Sequence, residues 1–211
     1  SLKGGGLIGL HYYVSPQIWA WKSKRRFKMA KILDSLGVLL PFEKECYADT
    51  KLPVTYLGHP FAEKDYPLPV EYDPNGVILL LPGSRIKSIE TIAPIILDSF
   101  QRISAKDDSL MGVILYPSQK VKLFLETILD SYPTLADKIS LQRNDSGKLK
   151  VKGAIMSSGT ISLSMALAAV PGVIMYTFSK LNYWLLRRLI KVRFIGLANL
   201  ILDQNIYPEL L

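Results

Sequence analysis

The chain has 211 residues, of which 49% are hydrophobic and 10% aromatic, and this composition excludes a disordered or fibrous protein. Its 26 Lys and Arg against 18 Asp and Glu give a net charge of +8, which favours anionic partners such as acidic headgroups, phosphorylated ligands or nucleic acid. The single cysteine, Cys46, excludes an intrachain disulfide, and with only two histidines beside it no Cys/His metal cluster can form, so we expect no metal.

The first part of the chain predicts short strands around one helix. The apolar segment 7–14 predicts a strand that stops at a Ser-Pro step, and a helical pattern then follows from Trp19 to Leu33. Segments 38–40 and 54–57 predict two further short strands, because turn-forming residues close each of them.

A domain boundary is predicted between residues 61 and 76. Several prolines and acidic residues in this stretch break both the helical and the strand periodicity. The boundary divides the chain into residues 1–65, which form part of one domain, and residues 66–211, which form a second one.

Beyond the boundary, the pattern becomes a regular alternation of strands and helices. The predicted strands are residues 77–81, 111–116, 139–142, 154–156 and 173–176. The predicted helices are residues 89–103, 121–129 and 160–169, with Pro94 in the first turn of the first helix. Strands that are apolar throughout and separated by helices imply a parallel sheet covered on both faces. The predicted fold class is therefore α/β, with a doubly wound parallel sheet.

An uncharged stretch from residue 153 to residue 179 is long enough to suggest a transmembrane helix. Hydroxyl residues and a glycine near its start, and a Pro-Gly step at Pro171, interrupt it. We predict a buried strand, helix and strand there instead.

Two strand-to-helix loops carry the candidate ligand-binding residues, because ligands of doubly wound sheets bind at the carboxyl ends of strands. In the first loop Gly83 permits close approach of the backbone to a ligand, and Ser84 offers a hydroxyl. Arg85 adds a guanidinium that can make two parallel hydrogen bonds, and together these groups suit a diphosphate. The second loop offers hydroxyls and amides without bulk, at Ser158, Gly159 and Thr160. An ordinary tight turn and a self-capped helix remain the alternatives.

A basic and aromatic cluster follows the first predicted strand and favours contact with an anionic membrane surface. Its members are Trp19, Trp21, Lys22, Lys24, Arg25 and Arg26, followed by Lys28 and Lys31. A solvated basic helix with its tryptophans in the core is the alternative. A similar pattern recurs in residues 183–193. Nucleic acid ranks lower as a partner, because aromatic or zinc-binding recognition motifs are absent.

Six short motifs, in order, resemble those of the lipid-A-disaccharide synthase family. They are residues 13–22 (Tyr-Val-Ser-Pro-Gln-Ile-Trp-Ala-Trp-Lys), 40–43 (Leu-Pro-Phe-Glu), 58–60 (Gly-His-Pro), 81–85 (Leu-Pro-Gly-Ser-Arg), 158–160 (Ser-Gly-Thr) and 199–202 (Asn-Leu-Ile-Leu). The resemblance spans nearly the whole chain and implies a fold of the glycosyltransferase-B type. It makes residues 1–65 a remnant of the acceptor-side domain and residues 66–211 a UDP-sugar-binding Rossmann-like domain.

The resemblance also implies a reaction and its partners. Family members transfer 2,3-diacylglucosamine from UDP to 2,3-diacylglucosamine 1-phosphate, with inversion and without a metal or other cofactor. This predicts a cytoplasmic protein on the inner face of the inner membrane, without nucleic acid as a partner, and it leaves a homodimer open. Arg85 would neutralise the departing diphosphate, and Asn199 matches an asparagine that the family uses near the reaction centre.

The chain departs from the family in two respects. The catalytic aspartate of the family would lie before Ser1, and Glu43 is the nearest substitute base, so we expect no disaccharide synthesis by this chain alone. Ser164 stands where the family has a glutamate suited to ribose hydroxyls. Two rival hypotheses therefore stay open: another UDP-sugar transferase or epimerase, and an inactive remnant that binds nucleotide or membrane.

Overall fold

The computed structural model describes residues 8–20, 22–63, 65–157, 161–176 and 193–210. The described residues fall into two compact units that separate between Tyr66 and Pro67. Arg193 groups with the first unit, and residues 194–210 group with the second.

The first unit is built on three short parallel strands. It contains β1 (His11–Tyr13), α1 (Arg25–Ile32), β2 (Ser35–Val38) and β3 (Val54–Tyr56), with single 3-10 turns at Pro41–Glu43, Glu45–Tyr47 and Pro60–Ala62. The strand order is β1-β2-β3, and both neighbouring pairs are parallel. The small core of this unit consists of Ile18, Leu33, Leu36, Val38, Tyr47 and Leu52.

Two predicted elements of this unit are displaced. The helix expected from Trp19 begins only at Arg25, because Lys22 has a φ of 52° and this left-handed conformation interrupts a right-handed helix. The strand expected at residues 38–40 lies at Ser35–Val38 instead. The N–H groups of Leu39 and Leu40 donate to the carboxylate of Glu43 and are therefore unavailable to the sheet.

The second unit contains a six-stranded sheet with helices on both sides. Its elements are β4 (Val70–Leu81), α2 (Ile86–Ser104), β5 (Gly112–Tyr116), α3 (Gln119–Leu129), a 3-10 turn at Pro133–Leu135, β6 (Ile139–Arg143), β7 (Leu149–Ser157), α4 (Ile161–Leu167), β8 (Gly172–Met175), α5 (Leu197–Leu202) and β9 (Glu209–Leu210). The order is β6-β5-β4-β7-β8-β9, and every neighbouring pair is parallel. The predicted doubly wound parallel sheet is confirmed.

Both faces of this sheet are buried, since successive residues of a strand point to opposite faces. Leu79 and Leu81 belong to one apolar cluster, whereas Leu80 between them belongs to the other. The first cluster includes Met165 of α4, and the second includes Ile89 and Phe100 of α2. This two-sided burial explains why the strands are apolar throughout rather than alternating.

Strand β4 begins at Val70, inside the stretch 61–76 where the sequence predicts the domain boundary. Tyr72 and Val77 both pair with Val151 of β7, so the residues between them leave the ladder. This excursion accommodates Pro74, which has no N–H to donate. Because Pro74 interrupts the apolar pattern, the sequence did not predict the first part of this strand.

Helix α2 begins three residues earlier than predicted. The prediction that Pro94 lies in its first turn is therefore wrong. This proline lies in the helix interior rather than in the first turn. The helix persists because its apolar face is buried along its length, at Ile89, Ala93, Ile96, Leu97 and Phe100.

The uncharged stretch contains β7, α4 and β8 in its described part, as the interrupted pattern predicted. Within the described ranges no helix is both long and apolar enough to cross a membrane.

Candidate functional site

The candidate site lies where the strand order of the second unit reverses. From β4 the chain proceeds through β5 to β6 at one edge, and from β7 it proceeds through β8 to β9 at the other. Open α/β sheets bind ligands at such a switch point, outside the carboxyl ends of the two central strands. Those ends are Leu81 of β4 and Ser157 of β7, so both predicted loops start there.

Gly83 brings the first loop against the end of β7. A Cβ built on Gly83 would lie 3.5 Å from Oγ of Ser157 and 3.0 Å from Oγ of Ser88. Gly83 also has a φ of 111°, a region that other residues rarely adopt. The positive φ therefore favours glycine here, whereas a Cβ would make only an ordinary contact with Ser157 and a tight one with Ser88.

The loop leads directly into the amino terminus of α2, which no described side chain caps. Arg85 is the N-cap residue with extended backbone, and its carbonyl accepts hydrogen bonds from the N–H groups of Ser88 and Ile89, both at 2.9 Å. The first turn contains no acidic residue, and the side chains of Ser84 and Arg85 are exposed. Uncapped N–H groups beside an exposed guanidinium make an anion-binding arrangement.

The second predicted loop is only partly described. Ser158, Gly159 and Thr160 lie outside the described residues, whereas Ser157 before them is buried and Ile161 after them begins α4. Ser164, at the position of the family glutamate, is also buried within α4.

Asn199 is wholly buried at 0% exposure and contacts the protein itself. Its Oδ1 accepts from the N–H of Tyr207 at 2.9 Å, and its Nδ2 donates to the carbonyl of Tyr207 at 2.7 Å and to Oε1 of Glu209 at 2.9 Å. In this structure the side chain joins α5 to the segment that enters β9. We therefore describe Asn199 as a positioning residue, not as a group open to substrate.

Glu209 is the residue that the sequence reasoning missed. Its carboxylate accepts hydrogen bonds from the N–H groups of Ile195 and Gly196, each at 3.0 Å, as well as from Asn199. Burial, with the negative charge of Glu209 nearby, raises the pKa of Tyr176. No periodicity marks a two-residue strand, so the sequence carried no signal for this network.

Trp19, a member of the predicted membrane cluster, is only partly exposed. Its indole is partly buried and packs edge-on against Phe42, with ring centroids 5.7 Å apart. Its Nε1 is buried and lies near the carboxylate of Glu43 without completing a hydrogen bond. Trp21 and residues 183–192 of the second basic segment lie outside the described residues.

The basic residues of the cluster divide into two groups. Arg26 points back to the protein, where its Nε donates to Oδ1 of Asp49 at 2.6 Å. Lys22, Lys24 and Arg25 are exposed. Helix α1 that follows has no fully buried residue, and its Phe27 and Ile32 expose 43% and 53% of their surface.

Glu43, the nearest substitute for a catalytic base, is 4% exposed and bonded to the backbone. Its Oε2 accepts from the N–H groups of Leu39 and Leu40, at 3.1 and 2.9 Å. Burial raises the pKa of the Glu43 carboxyl, and these hydrogen bonds only partly oppose the rise. The geometry makes Glu43 a clamp for the turn after β2.

We expect Glu43→Ala to lower the free energy of unfolding by about 2–3 kcal/mol, because two N–H groups in a buried turn lose their acceptor. Glu43→Gln keeps an acceptor oxygen and is the matched control with a smaller loss. Because the folded-state pKa is raised, stability of the wild type relative to Glu43→Gln should fall as the pH rises from below 4.5 through the folded pKa. Urea unfolding at several pH values measures this, and a relative stability that increases with pH would contradict it.

Comparison with known proteins identifies the family. A family model described as lipid-A-disaccharide synthetase matches residues 8–211. Curated lipid-A-disaccharide synthases from Hahella chejuensis and Colwellia psychrerythraea are 33% and 34% identical to this chain, with 100% of the chain and 56% of each relative covered. One from Coxiella burnetii is 34% identical over 97% of the chain and 56% of the relative.

The chain thus spans about 56% of the length of these relatives. A solved structure titled "Crystal structure of GtfA/B complex" aligns over 89% of this chain and 36% of that chain at 12% identity, with a TM-score of 0.48, too low to establish a shared fold. The family match covers almost every residue, and all six motifs lie within the matched range. This chain belongs to the lipid-A-disaccharide synthetase family.

Proposed function

We propose that the second unit binds the UDP portion of UDP-2,3-diacylglucosamine, and that the protein to which this chain contributes transfers the acylated sugar to 2,3-diacylglucosamine 1-phosphate. The observation that carries the proposal is the switch point, where Gly83 lies against Ser157 beside the uncapped amino terminus of α2. Membership of the lipid-A-disaccharide synthetase family supports this choice of nucleotide sugar.

The chemistry assigns a task to each group at the switch point. An acceptor hydroxyl attacks the anomeric carbon and gives its proton to a general base, the bond from that carbon to the diphosphate oxygen breaks, and UDP leaves with the bonding electron pair. Negative charge grows on the diphosphate in the transition state, where fixed donors stabilise it most. Arg85 and the first N–H groups of α2 are donors that the described part of this unit offers.

A titration of the chain with UDP, UMP and uridine tests the nucleotide site. The diphosphate should contribute most of the affinity, because the described donors suit phosphate oxygens. We expect UDP to bind at least about ten times more tightly than uridine, a difference of about 1.4 kcal/mol, with UMP between them. Equal affinities for the three compounds would contradict a diphosphate site here.

We also propose that the exposed side of α1 contacts an anionic membrane surface. Lys24, Phe27, Lys28 and Lys31 follow three- and four-residue spacing and therefore share one face, with Ile32 beside it. The opposite side, with Met29 and Ala30, packs on the core. Two exposed apolar side chains among cations suit an interface with acidic headgroups, where each Lys or Arg adds about 1 kcal/mol before screening. Phe27 and Ile32 here replace the expected Trp19.

Vesicle binding tests the membrane proposal. We expect the chain to bind vesicles that contain phosphatidylglycerol, and this binding should weaken as salt rises, because the Debye length is about 10 Å at 0.1 M and about 3 Å at 1 M. Phe27→Ser with Ile32→Ser should weaken it further, whereas Leu167→Ser, an exposed leucine on α4, should not. Equal binding to neutral vesicles, or no loss in the double variant, would contradict the proposal.

A further inference from the structure

Glu209, on the short strand β9, directs its carboxylate toward the segment that leads into α5. Its Oε2 accepts a hydrogen bond from the N–H of Ile195 at 3.0 Å. Its Oε1 accepts from the N–H of Gly196 at 3.0 Å and from Nδ2 of Asn199 at 2.9 Å. Hydrogen bonds to an ionised acceptor are roughly twice as strong as those between neutral groups. One side chain therefore fixes the backbone at two successive residues before α5.

The segment that Glu209 holds lies directly on β8. Gly196 is buried, and a Cβ built there would collide with Cδ1 of Ile174 and lie 3.2 Å from Oε1 of Glu209. The same Cβ would lie 3.7 Å from Oη of Tyr176, the residue that follows the last residue of β8. The backbone at residue 196 is thus packed between the end of β8 and the carboxylate from β9.

This segment lies at the same edge of the sheet as the candidate site. Ser157 at the end of β7 pairs with Met175 of β8, and Met175 pairs with Leu210 of β9. The carboxyl ends of these three strands are therefore level, and neighbouring strands are about 4.8 Å apart. Ser157 is also the residue that approaches Gly83 of the first loop. The held segment is thus one strand away from the switch point.

A ligand at the switch point benefits from a wall that is already ordered. Fixing the backbone of a residue costs conformational entropy, and a site that must order its own wall on binding loses that free energy from its affinity. The hydrogen bonds from Glu209 to residues 195 and 196 are made within the protein, without a ligand. The carboxylate can therefore raise the affinity without contacting the ligand.

The charge of Glu209 by itself would act against an anionic ligand. A diphosphate is repelled by a carboxylate in the same part of the sheet, although solvent and salt weaken this repulsion with distance. Charge and positioning thus predict effects of opposite sign on UDP affinity when the carboxylate is replaced by a neutral group. Only positioning predicts a loss of affinity.

We propose that Glu209 is a positioning residue of the nucleotide-sugar site, where it holds the backbone that leads into α5 and keeps the β8 side of the switch point ordered. The inference rests on the proposed UDP site and adds a residue to it. It also gives a reason for a carboxylate on a strand of only two residues, whose backbone alone provides little pairing.

Glu209→Gln tests the proposal, because it keeps the shape of the side chain. The NH₂ group of an amide cannot accept, so the donors meet one acceptor oxygen in place of two. We expect UDP affinity, measured by isothermal titration, to fall about 5- to 20-fold. Amide exchange at Ile195 and Gly196 should become at least about ten times faster. The amide of Tyr176, which donates to Leu210 at 2.9 Å, should change little and thereby show that β9 still pairs.

Two control variants match the change in charge and the change in stability. Glu71→Gln removes the same charge from the amino end of β4, where the carboxylate forms only an exposed ion pair with Lys148 at 3.4 Å. Tyr132→Phe loosens the second unit elsewhere, because it removes a hydroxyl that lies 3.0 Å from Oδ1 of Asp98 and 3.3 Å from the carbonyl oxygen of Pro94. Both variants should keep UDP affinity within about twofold, since distant exposed charges are screened.

Three results would overturn the proposal. Unchanged or tighter UDP binding by Glu209→Gln would show that the carboxylate serves the fold alone or acts only through its charge. Weaker UDP binding with unchanged exchange at Ile195 and Gly196 would place the carboxylate in contact with the ligand instead. An equal loss of affinity in Tyr132→Phe would attribute the effect to general destabilisation. Each of these leaves the UDP site standing, whereas absence of UDP binding by the wild type would contradict the nucleotide proposal and this one with it.

Discussion

Replacing Arg85 with alanine is expected to weaken UDP binding about 10- to 100-fold, since hydrogen bonds to charged groups contribute about 1.5–3 kcal/mol. The guanidinium stands at the N-cap of α2, exposed at the carboxyl end of β4, where diphosphate oxygens would meet the free N–H groups of the helix. Isothermal titration of the wild type and the variant with UDP measures the effect.

Two further variants make the Arg85 experiment specific. Arg102→Ala removes an exposed arginine from the last turn of the same helix, so it changes the net charge equally at the opposite end. It should leave the affinity within about twofold, because exposed charges that far apart are screened. Arg85→Lys keeps the charge but loses the bidentate hydrogen bonding, so its UDP affinity should lie between those of the wild type and Arg85→Ala. Equal UDP affinity in wild type and Arg85→Ala would remove Arg85 from the site.

Asn199→Ala is expected to lower the free energy of unfolding by about 2–4 kcal/mol. The substitution leaves the N–H and the carbonyl of Tyr207 without their partner in a buried position, and each unsatisfied buried group costs about 1–3 kcal/mol. It also removes a donor to the carboxylate of Glu209, which holds the N–H groups of Ile195 and Gly196. Urea unfolding of the second unit measures the loss.

The control for this prediction is Asn205→Ala. Asn205 is exposed and meets Nδ2 of Asn199 only at a long 3.4 Å, so its removal should cost less than about 1 kcal/mol. UDP affinity of folded Asn199→Ala distinguishes a positioning role from direct contact. If the variant keeps its stability but loses UDP binding, Asn199 contacts the ligand, and its description as a positioning residue is wrong.

Much of the second unit could be predicted from local pattern. Strands β5, β6 and β8 and helix α3 lie within a few residues of their predicted bounds, because each is a short apolar run or an amphipathic helix between clear breakers. The predictions failed where a breaker lies inside an element. Pro94 sits in the interior of α2, where burial of the apolar face outweighs the local penalty. Pro74 lies in an excursion of β4 that leaves the ladder, so its missing N–H costs no hydrogen bond there.

The candidate site, too, could be predicted from the sequence only in part. The loop around Gly83 and Arg85 could be predicted from the sequence, because a glycine and a cationic residue between a strand and a helix are typical of an anion-binding loop. The contact between Gly83 and Ser157 was not recognisable, since the two residues are far apart in the chain. The sequence also could not show that Trp19 packs on Phe42 rather than facing outward, because both arrangements have the same local pattern.

By itself, the sequence determined the family, the α/β class and the alternation of strands and helices, because these depend on motif order and on hydrophobic spacing along the chain. Only the tertiary structure decided the strand order β6-β5-β4-β7-β8-β9, and with it the switch point that brings Gly83 to Ser157. It also decided the burial of Asn199 against Glu209. Pairing between strands and the satisfaction of buried polar groups depend on residues distant in sequence, and a local pattern carries no record of them.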